Sequence, residues 1–290
     1  MSTATAKWFV CALLAAAQAT GYRVAIEGWR QQHEAELKAE DGWLAVAGLF
    51  WLKEGPNSFG AAPSNDIVLP AGAAARAGVF RFQQGQTVLE TDPNATVTLK
   101  GKRVTRVEMR PDSAGSPTMV ALGDLTLHVI RRGTRFGIRL KDKNSKPRRE
   151  FRGLSWFPVS PSYRATGRFH RYPAPKTLRI VSILGDVEEL PSPGYVVFRV
   201  GGRHCRLEPV VSTPGELFFV LKDGTSGRGT YPGGRFLDVE IPKGEQIVLD
   251  FNKAYNPPCA LNPYTTCPVP PRQNHLPVSI EAGEIFQASR

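Results

Sequence analysis

The sequence predicts a mainly β protein, a β-sandwich or barrel-like arrangement preceded by an N-terminal helix. Short segments of alternating apolar and polar residues recur from residue 66 to residue 249. Gly and Pro, 28 and 24 of 290 residues, fall between these segments at turn positions, a frequency that suits many short strands better than long helices. Only one stretch in this half-apolar chain reads as a helix ahead of them, residues 23–41.

The helical stretch carries Trp29, Ala35 and Leu37 among Gln, Glu and Lys, and it runs out at Asp41-Gly42, a stop signal. Strands are then expected at 66–69, 78–82, 87–90, 96–99, 103–109, 119–122, 125–130 and 136–140. The second half adds 165–169, 177–183, 195–200, 204–210, 216–221, 236–240 and 246–249. Alternation is plainest in Thr96-Val97-Thr98-Leu99 and in Leu125-Thr126-Leu127-His128-Val129. Pro, Ser and Arg cluster over 158–175, but strand pattern resumes inside that cluster. One continuous β-rich domain over 20–290 is therefore expected, with 158–175 as its only candidate seam.

Residues 1–19 read as an export signal. Lys7 supplies the positive start, Trp8 to Ala17 a short apolar run, and Ala17-Gln18-Ala19 a small-x-small cleavage site. The apolar run is about half of the roughly 20 residues that span a bilayer. The expected location is exported, periplasmic or secreted, and cytoplasmic if the signal is not functional. No other segment has transmembrane character.

Net charge is +11, concentrated in residues 131–206, which hold 18 basic and 5 acidic side chains. Such a surface attracts anions. No zinc-finger, RNA-binding or helix-turn-helix pattern accompanies it, so a small polar or anionic ligand is expected rather than nucleic acid. Arg135 and Arg139, four apart on an extended strand, share a face and suit a bidentate clamp on a carboxylate or phosphate. Surface ion pairs are the alternative use for them.

The segment Asp250–Glu284, DFNKAYNPPCALNPYTTCPVPPRQNHLPVSIEAGE, has almost no apolar periodicity and seven prolines. Irregular backbone of this kind is held by specific side-chain contacts and often carries function. Asp250, or one of Glu281 and Glu284, has the chemistry of a general base if burial raises its pKa. Tyr255 and His275 are the further catalytic candidates. Asn252, Asn256 and Asn274 suit the positioning of a polar substrate or an oxyanion. The glycine-rich run Lys222–Leu237 offers Tyr231 and Arg235 as anion contacts. The competing reading makes the Asn and Asp side chains staples for loop backbone.

Several chemistries have no support. There is no G-x-S-x-G elbow, no P-loop order and no dinucleotide fingerprint. No CxxC or HxxxH pair is present, so neither metal nor cofactor is expected. Beyond the signal, three cysteines remain. Cys259 and Cys267 could close a small loop as a disulfide in an oxidising compartment or remain packed thiols, and Cys205 is expected to be buried in a strand.

At GWLAVAGLFWLKEGPNSFG, RRGTRFGIRLKD, FRGLSWFPV, GTYPGGRFL, DFNKAYNPPCALNPYTTCP and the closing AGE, the chain resembles the prokaryotic domain-of-unknown-function family 1684. The resemblance runs from about Trp29 to Glu284. It implies that the C-terminal block is a family signature, and it brings no activity with it. The functional expectation is a hydrolase-type enzyme with a pocket formed by the C-terminal loop. The alternative is a non-catalytic binding module for an anionic glycan, lipid headgroup or metabolite. Oligomeric state is not legible.

Overall fold

The structure, a computed structural model, describes residues 3–287, with side chains from residue 19 onward. The expected signal segment, residues 1–19 with Cys11, lies outside these side chains apart from Ala19. The protein is mainly β with one long N-terminal helix, as the sequence predicts. It divides into two compact units. One holds Leu37–Phe151 and Leu261–Thr266; the other holds the helix up to Glu36, Arg152–Ala260 and the chain from Cys267 on. The break at Phe151 falls ahead of the expected 158–175 seam. Strand periodicity reports faces, not which strands pair, and so it cannot place such a boundary.

The first unit is a sandwich. Its strands are β1 (Val46–Trp51), β2 (Gly55–Gly60), β3 (Ile67–Val68), β4 (Gly78–Gln83), β5 (Gln86–Thr91), β6 (Thr98–Leu99), β7 (Lys102–Arg103), β8 (Arg106–Glu108), β9 (Val120–Leu122), β10 (Leu125–Arg132) and β11 (Arg135–Asp142). They form a six-stranded sheet ordered β1-β11-β10-β9-β6-β7 and a five-stranded sheet ordered β3-β2-β4-β5-β8. Phe59, Phe80 and Leu89 of one sheet share a core with Leu127, Val129, Ile138 and Leu140 of the other. The block GWLAVAGLFWLKEGPNSFG supplies β1 and β2. Asn57 lies on β2, 2% exposed, bonding the Lys53 backbone amide and carbonyl at 2.9 and 2.8 Å.

The second unit contains helix α1 (Thr3–Lys38) up to Glu36 and eight strands: β12 (Ser155–Trp156), β13 (Arg164–Val181), β14 (Val187–Val200), β15 (Arg203–Leu207), β16 (Glu216–Leu221), β17 (Arg235–Glu240), β18 (Gln246–Asp250) and β19 (Glu284–Ile285). A four-stranded sheet runs β15-β14-β13-β18; β16 pairs with β17, and β12 with β19. Phe169, Val196, Phe198 and Leu249 of the sheet pack with Phe219, Leu221 and Leu237 of the β16–β17 hairpin and with Phe251, Ile280 and Ala282 of the C-terminal block. The segment that lacks apolar periodicity therefore still closes the core, through single apolar residues between its prolines. Among the described residues, no helix is long and apolar enough to cross a membrane.

Candidate functional site

The polar side chains of the C-terminal block fall into separate groups. The first is at the end of β18. Both Asp250 carboxylate oxygens accept from the Tyr22 hydroxyl of α1, at 2.9 and 2.8 Å. Asp250 also caps the Asn252 backbone amide at 3.1 Å. Asn252 is fully buried. Its Oδ1 accepts from Ser160 N at 2.9 Å, and its Nδ2 donates to Ser160 O at 2.8 Å, Tyr22 Oη at 3.0 Å and Asp250 Oδ1 at 3.1 Å. Burial, followed by the bond to Asp250, pushes the Tyr22 phenol well above its ordinary value, so it stays a donor. This group staples the helix to β18, and its hydrogen-bonding capacity is used internally.

Asn274 is a second staple. It is 1% exposed, donates to Glu208 O and Val220 O at 2.9 and 3.0 Å, and accepts from Glu208 N at 2.8 Å. His275 beside it is exposed and rests its Nε2 near Pro270 O at 3.2 Å. Arg235 forms a third. It is buried against Asp223 (Nη2 to Oδ2, 2.7 Å) and donates to the carbonyls of Ile280 (2.9 Å) and Ala282. The charge expected to meet an anion instead neutralises Asp223 and anchors the chain leading into Glu284.

The fourth group is built around Glu284. The tripeptide Ala282-Gly283-Glu284 turns there because Gly283 adopts φ +79°, and a Cβ at that position would fall against the Ala254 carbonyl oxygen. This close approach lets Glu284 N donate to Ala254 O at 2.8 Å, while β19 sets Glu284 opposite Trp156 of β12. The Glu284 side chain is 3% exposed and its Oε2 accepts from the Asn256 backbone amide at 2.8 Å. Burial is the main reason its pKa rises to about 7, and the charge of Glu34 on α1 adds to it. The Asn256 bonds and the Arg235 guanidinium oppose the rise without cancelling it. Glu34 is held in place by Leu154 N at 3.1 Å and by the Trp156 indole at 3.0 Å.

Asn256, 5% exposed, holds the Tyr231 amide through Oδ1 at 3.2 Å. Its Nδ2 lies near enough to Glu284 to favour the charged carboxylate but makes no hydrogen bond of normal geometry, so a buried donor is left without a partner. Tyr231 turns its hydroxyl to the Cys259 thiol; burial, then that bond, raises the phenol to about 12. Cys267 Sγ accepts from Cys259 N at 3.2 Å. Both sulfurs are thiols rather than a disulfide.

Tyr255 donates to Asp238 Oδ2 at 2.6 Å, and its ring meets His33 of α1 at 4.7 Å. Burial raises the Tyr255 phenol well above its usual value and lowers the His33 imidazole below its own. His33 also stacks on Trp29 at 5.2 Å.

The structure thus brings Asn256 and Tyr231 together with Glu284, places Tyr255 and the two thiols along the same short loop, and sets Asp250 and Asn252 in a separate staple. Arg135 and Arg139 belong to the sandwich unit, where their guanidinium groups lie over Trp51 at 3.9 Å and Trp43 at 5.1 Å. Among the described residues, no group of three or more His, Cys, Asp or Glu side chains could hold a metal ion. Sequence reasoning missed Tyr22, His33, Glu34 and Trp156. The three helical residues look like ordinary amphipathic positions, and only folding brings them to the C-terminal block.

Residues 149–285 match the family described as "Protein of unknown function (DUF1684)". An uncharacterised protein of Haloarcula marismortui, solved by NMR, is 30% identical, with 48% of this chain and 78% of that chain covered and a TM-score of 0.41. An FHA domain in complex with the intracellular domain of another protein is 16% identical, with 32% of this chain and 97% of that chain covered, at a TM-score of 0.23. A structure from work on phosphothreonine-dependent FHA domain interactions is 19% identical, covering 32% and 92%, also at 0.23. No curated protein matches. The matched region contains the signature block Asp250–Glu284, while GWLAVAGLFWLKEGPNSFG and RRGTRFGIRLKD lie ahead of it, and over residues 149–285 the chain matches the DUF1684 family.

Proposed function

We propose that the C-terminal block forms an acid–base site of hydrolase type for a small polar or anionic substrate, with Glu284 as the proton-transfer group. The observation that carries this reading is the pairing of a buried carboxyl, poised near neutrality, with a buried amide donor at Asn256 Nδ2 that lies beside it without a hydrogen bond of normal geometry. A base works best when its pKa lies near the working pH, and a fixed donor beside it can bind a carbonyl or developing oxyanion. The base role passes from Asp250, whose oxygens are taken by Tyr22 and Asn252, to Glu284. Asn256 orients, and Tyr231 with His33 and Tyr255 lines the same region.

The test is turnover of p-nitrophenyl acetate and p-nitrophenyl phosphate by the full chain and by Glu284→Gln. Support would be a rate that climbs through a midpoint near pH 7 and is lost in the variant while its circular dichroism is unchanged. Equal turnover in the two proteins, or none in either, would overturn the assignment.

A non-catalytic reading is favoured by one surface. On β13, β14 and β15, Arg206 lies over Tyr195 at 3.9 Å, His170 stacks on Tyr195 at 4.9 Å and Lys176 lies over Tyr172 at 4.1 Å. This basic, aromatic face suits an anionic glycan, lipid headgroup or metabolite. Its binding should weaken steeply with added salt. Export through residues 1–19 is part of the proposal; N-terminal mass analysis of protein from its host, showing Thr20 as the first residue, would support it, and a retained Met1 would not.

A further inference from the structure

We infer that Cys259 and Cys267 form a reversible thiol–disulfide site that reacts with small-molecule disulfides. The geometry carries it. Cys267 Sγ lies 3.2 Å from the backbone nitrogen of Cys259, within the span that a turn of the Cys259 side chain covers when a disulfide forms. The two residues pack together in one small cluster with Val220 and Phe236. Their exposure is unequal. Cys267 is 6% exposed, whereas Cys259 is only half-buried. This is the arrangement of an entering thiol backed by a resolving one.

The reaction balances without a metal. Cys259 loses its proton and attacks one sulfur of a disulfide R–S–S–R. The bond between the two R-sulfurs breaks, one RSH departs with a proton, and Cys259 carries a mixed disulfide. Cys267, deprotonated in turn, attacks the Cys259 sulfur and expels the second RSH. Two protein thiols are oxidised and one small disulfide is reduced to two thiols.

The surroundings decide the direction. The bond to the neighbouring Cys267 sulfur and then burial push the Cys259 thiol up, and the Tyr231 hydroxyl only partly opposes this. A dithiol whose charged form is not stabilised reacts slowly at neutral pH, yet it is readily held oxidised, the reverse of a strongly oxidising pair whose reduced form is stabilised. Oxidation also removes the thiol that faces the Tyr231 hydroxyl, and the Tyr231 amide is the group held by Asn256. The inference stands on the sulfurs alone and does not depend on the acid–base reading.

The experiment equilibrates the full chain with mixtures of oxidised and reduced glutathione at pH 8 and measures intact mass and maleimide-reactive thiols. The expected result is loss of two hydrogens and of two reactive thiols, reversed by dithiothreitol and unchanged in Cys205→Ser. Cys267→Ser should trap a single glutathione on Cys259. Wild-type protein that gains stable glutathione adducts, or stays fully reduced under oxidised glutathione, overturns the inference. Because the decisive reading is made on the wild type, misfolding of a variant leaves the test intact.

Discussion

Asn256 donates its backbone amide to Glu284 Oε2 at 2.8 Å, while its own buried side-chain Nδ2 lies beside the same carboxyl without a hydrogen bond of normal geometry. One residue thus holds the carboxyl and leaves a donor beside it. A loop selected only for stability would satisfy that donor, because an unpaired buried polar group costs on the order of 1–3 kcal/mol. The relationship falls at the place where the chemistry of the block is proposed.

The first consequence concerns pH. Below Glu284's ordinary value of 4.5 the carboxyl is protonated in both folded and unfolded chains, and its contribution to stability is fully present. As pH rises toward about 7, the unfolded chain ionises freely while the folded one resists, and stability is lost. The full loss is about 3 kcal/mol. Glu284→Gln should flatten this dependence, so that the stability difference between variant and wild type moves in favour of the variant between pH 5 and pH 8. Urea unfolding at several pH values measures it; parallel curves would contradict the buried carboxyl.

Asn256→Asp would set a second carboxylate beside Glu284. Like charges in one site push a pKa up, so the Glu284 midpoint should climb above about 7 and the variant should be least stable at alkaline pH. Carboxyl carbon shifts followed by NMR through the titration would report it. An unmoved midpoint would separate the two residues.

The Tyr22–Asp250–Asn252 staple should behave as structure. Asn252→Ala leaves the Ser160 amide and carbonyl unpaired inside the protein and should cost about 2–4 kcal/mol. Tyr22→Phe removes only the shared hydroxyl and should cost about 1 kcal/mol. Denaturant midpoints give both numbers. A large loss of turnover in Tyr22→Phe at unchanged stability would return Asp250 to a catalytic role.

Gly283→Ala should cost about 3 kcal/mol or more, since the left-handed backbone disfavours a side chain and the added methyl meets the Ala254 carbonyl. Gly202→Ala is the control: it also has positive φ, at +76°, but nothing lies within 4 Å of its added Cβ, so it should cost less. Thermal melts of the pair separate strain from collision.

Much of the fold was legible. Glu216–Leu221 forms a strand with the bounds its pattern predicts, and the expected strand at 125–130 extends only to Arg132. Two short runs, 165–169 and 177–183, fall largely within one long strand, β13, because pairing with β14 resumes at Lys176 after the irregular Pro-containing stretch. The site was legible in part. Its signature block stands out by composition, and Asn256 and Tyr231 were recognisable as polar residues in irregular loops.

The sequence by itself determined the class of fold, because alternation of two is a local property of the chain that any half-buried sheet must show. It also determined which segment is unusual. Only the tertiary structure decided which carboxyl is poised. Asp250 and Glu284 are equivalent as letters, but one accepts hydrogen bonds from the helix and the other is desolvated beside Glu34. Proton affinity is set by burial and neighbouring charge, and helix residues more than two hundred positions away in the chain, Tyr22 for Asp250 and Glu34 for Glu284, contribute to those surroundings.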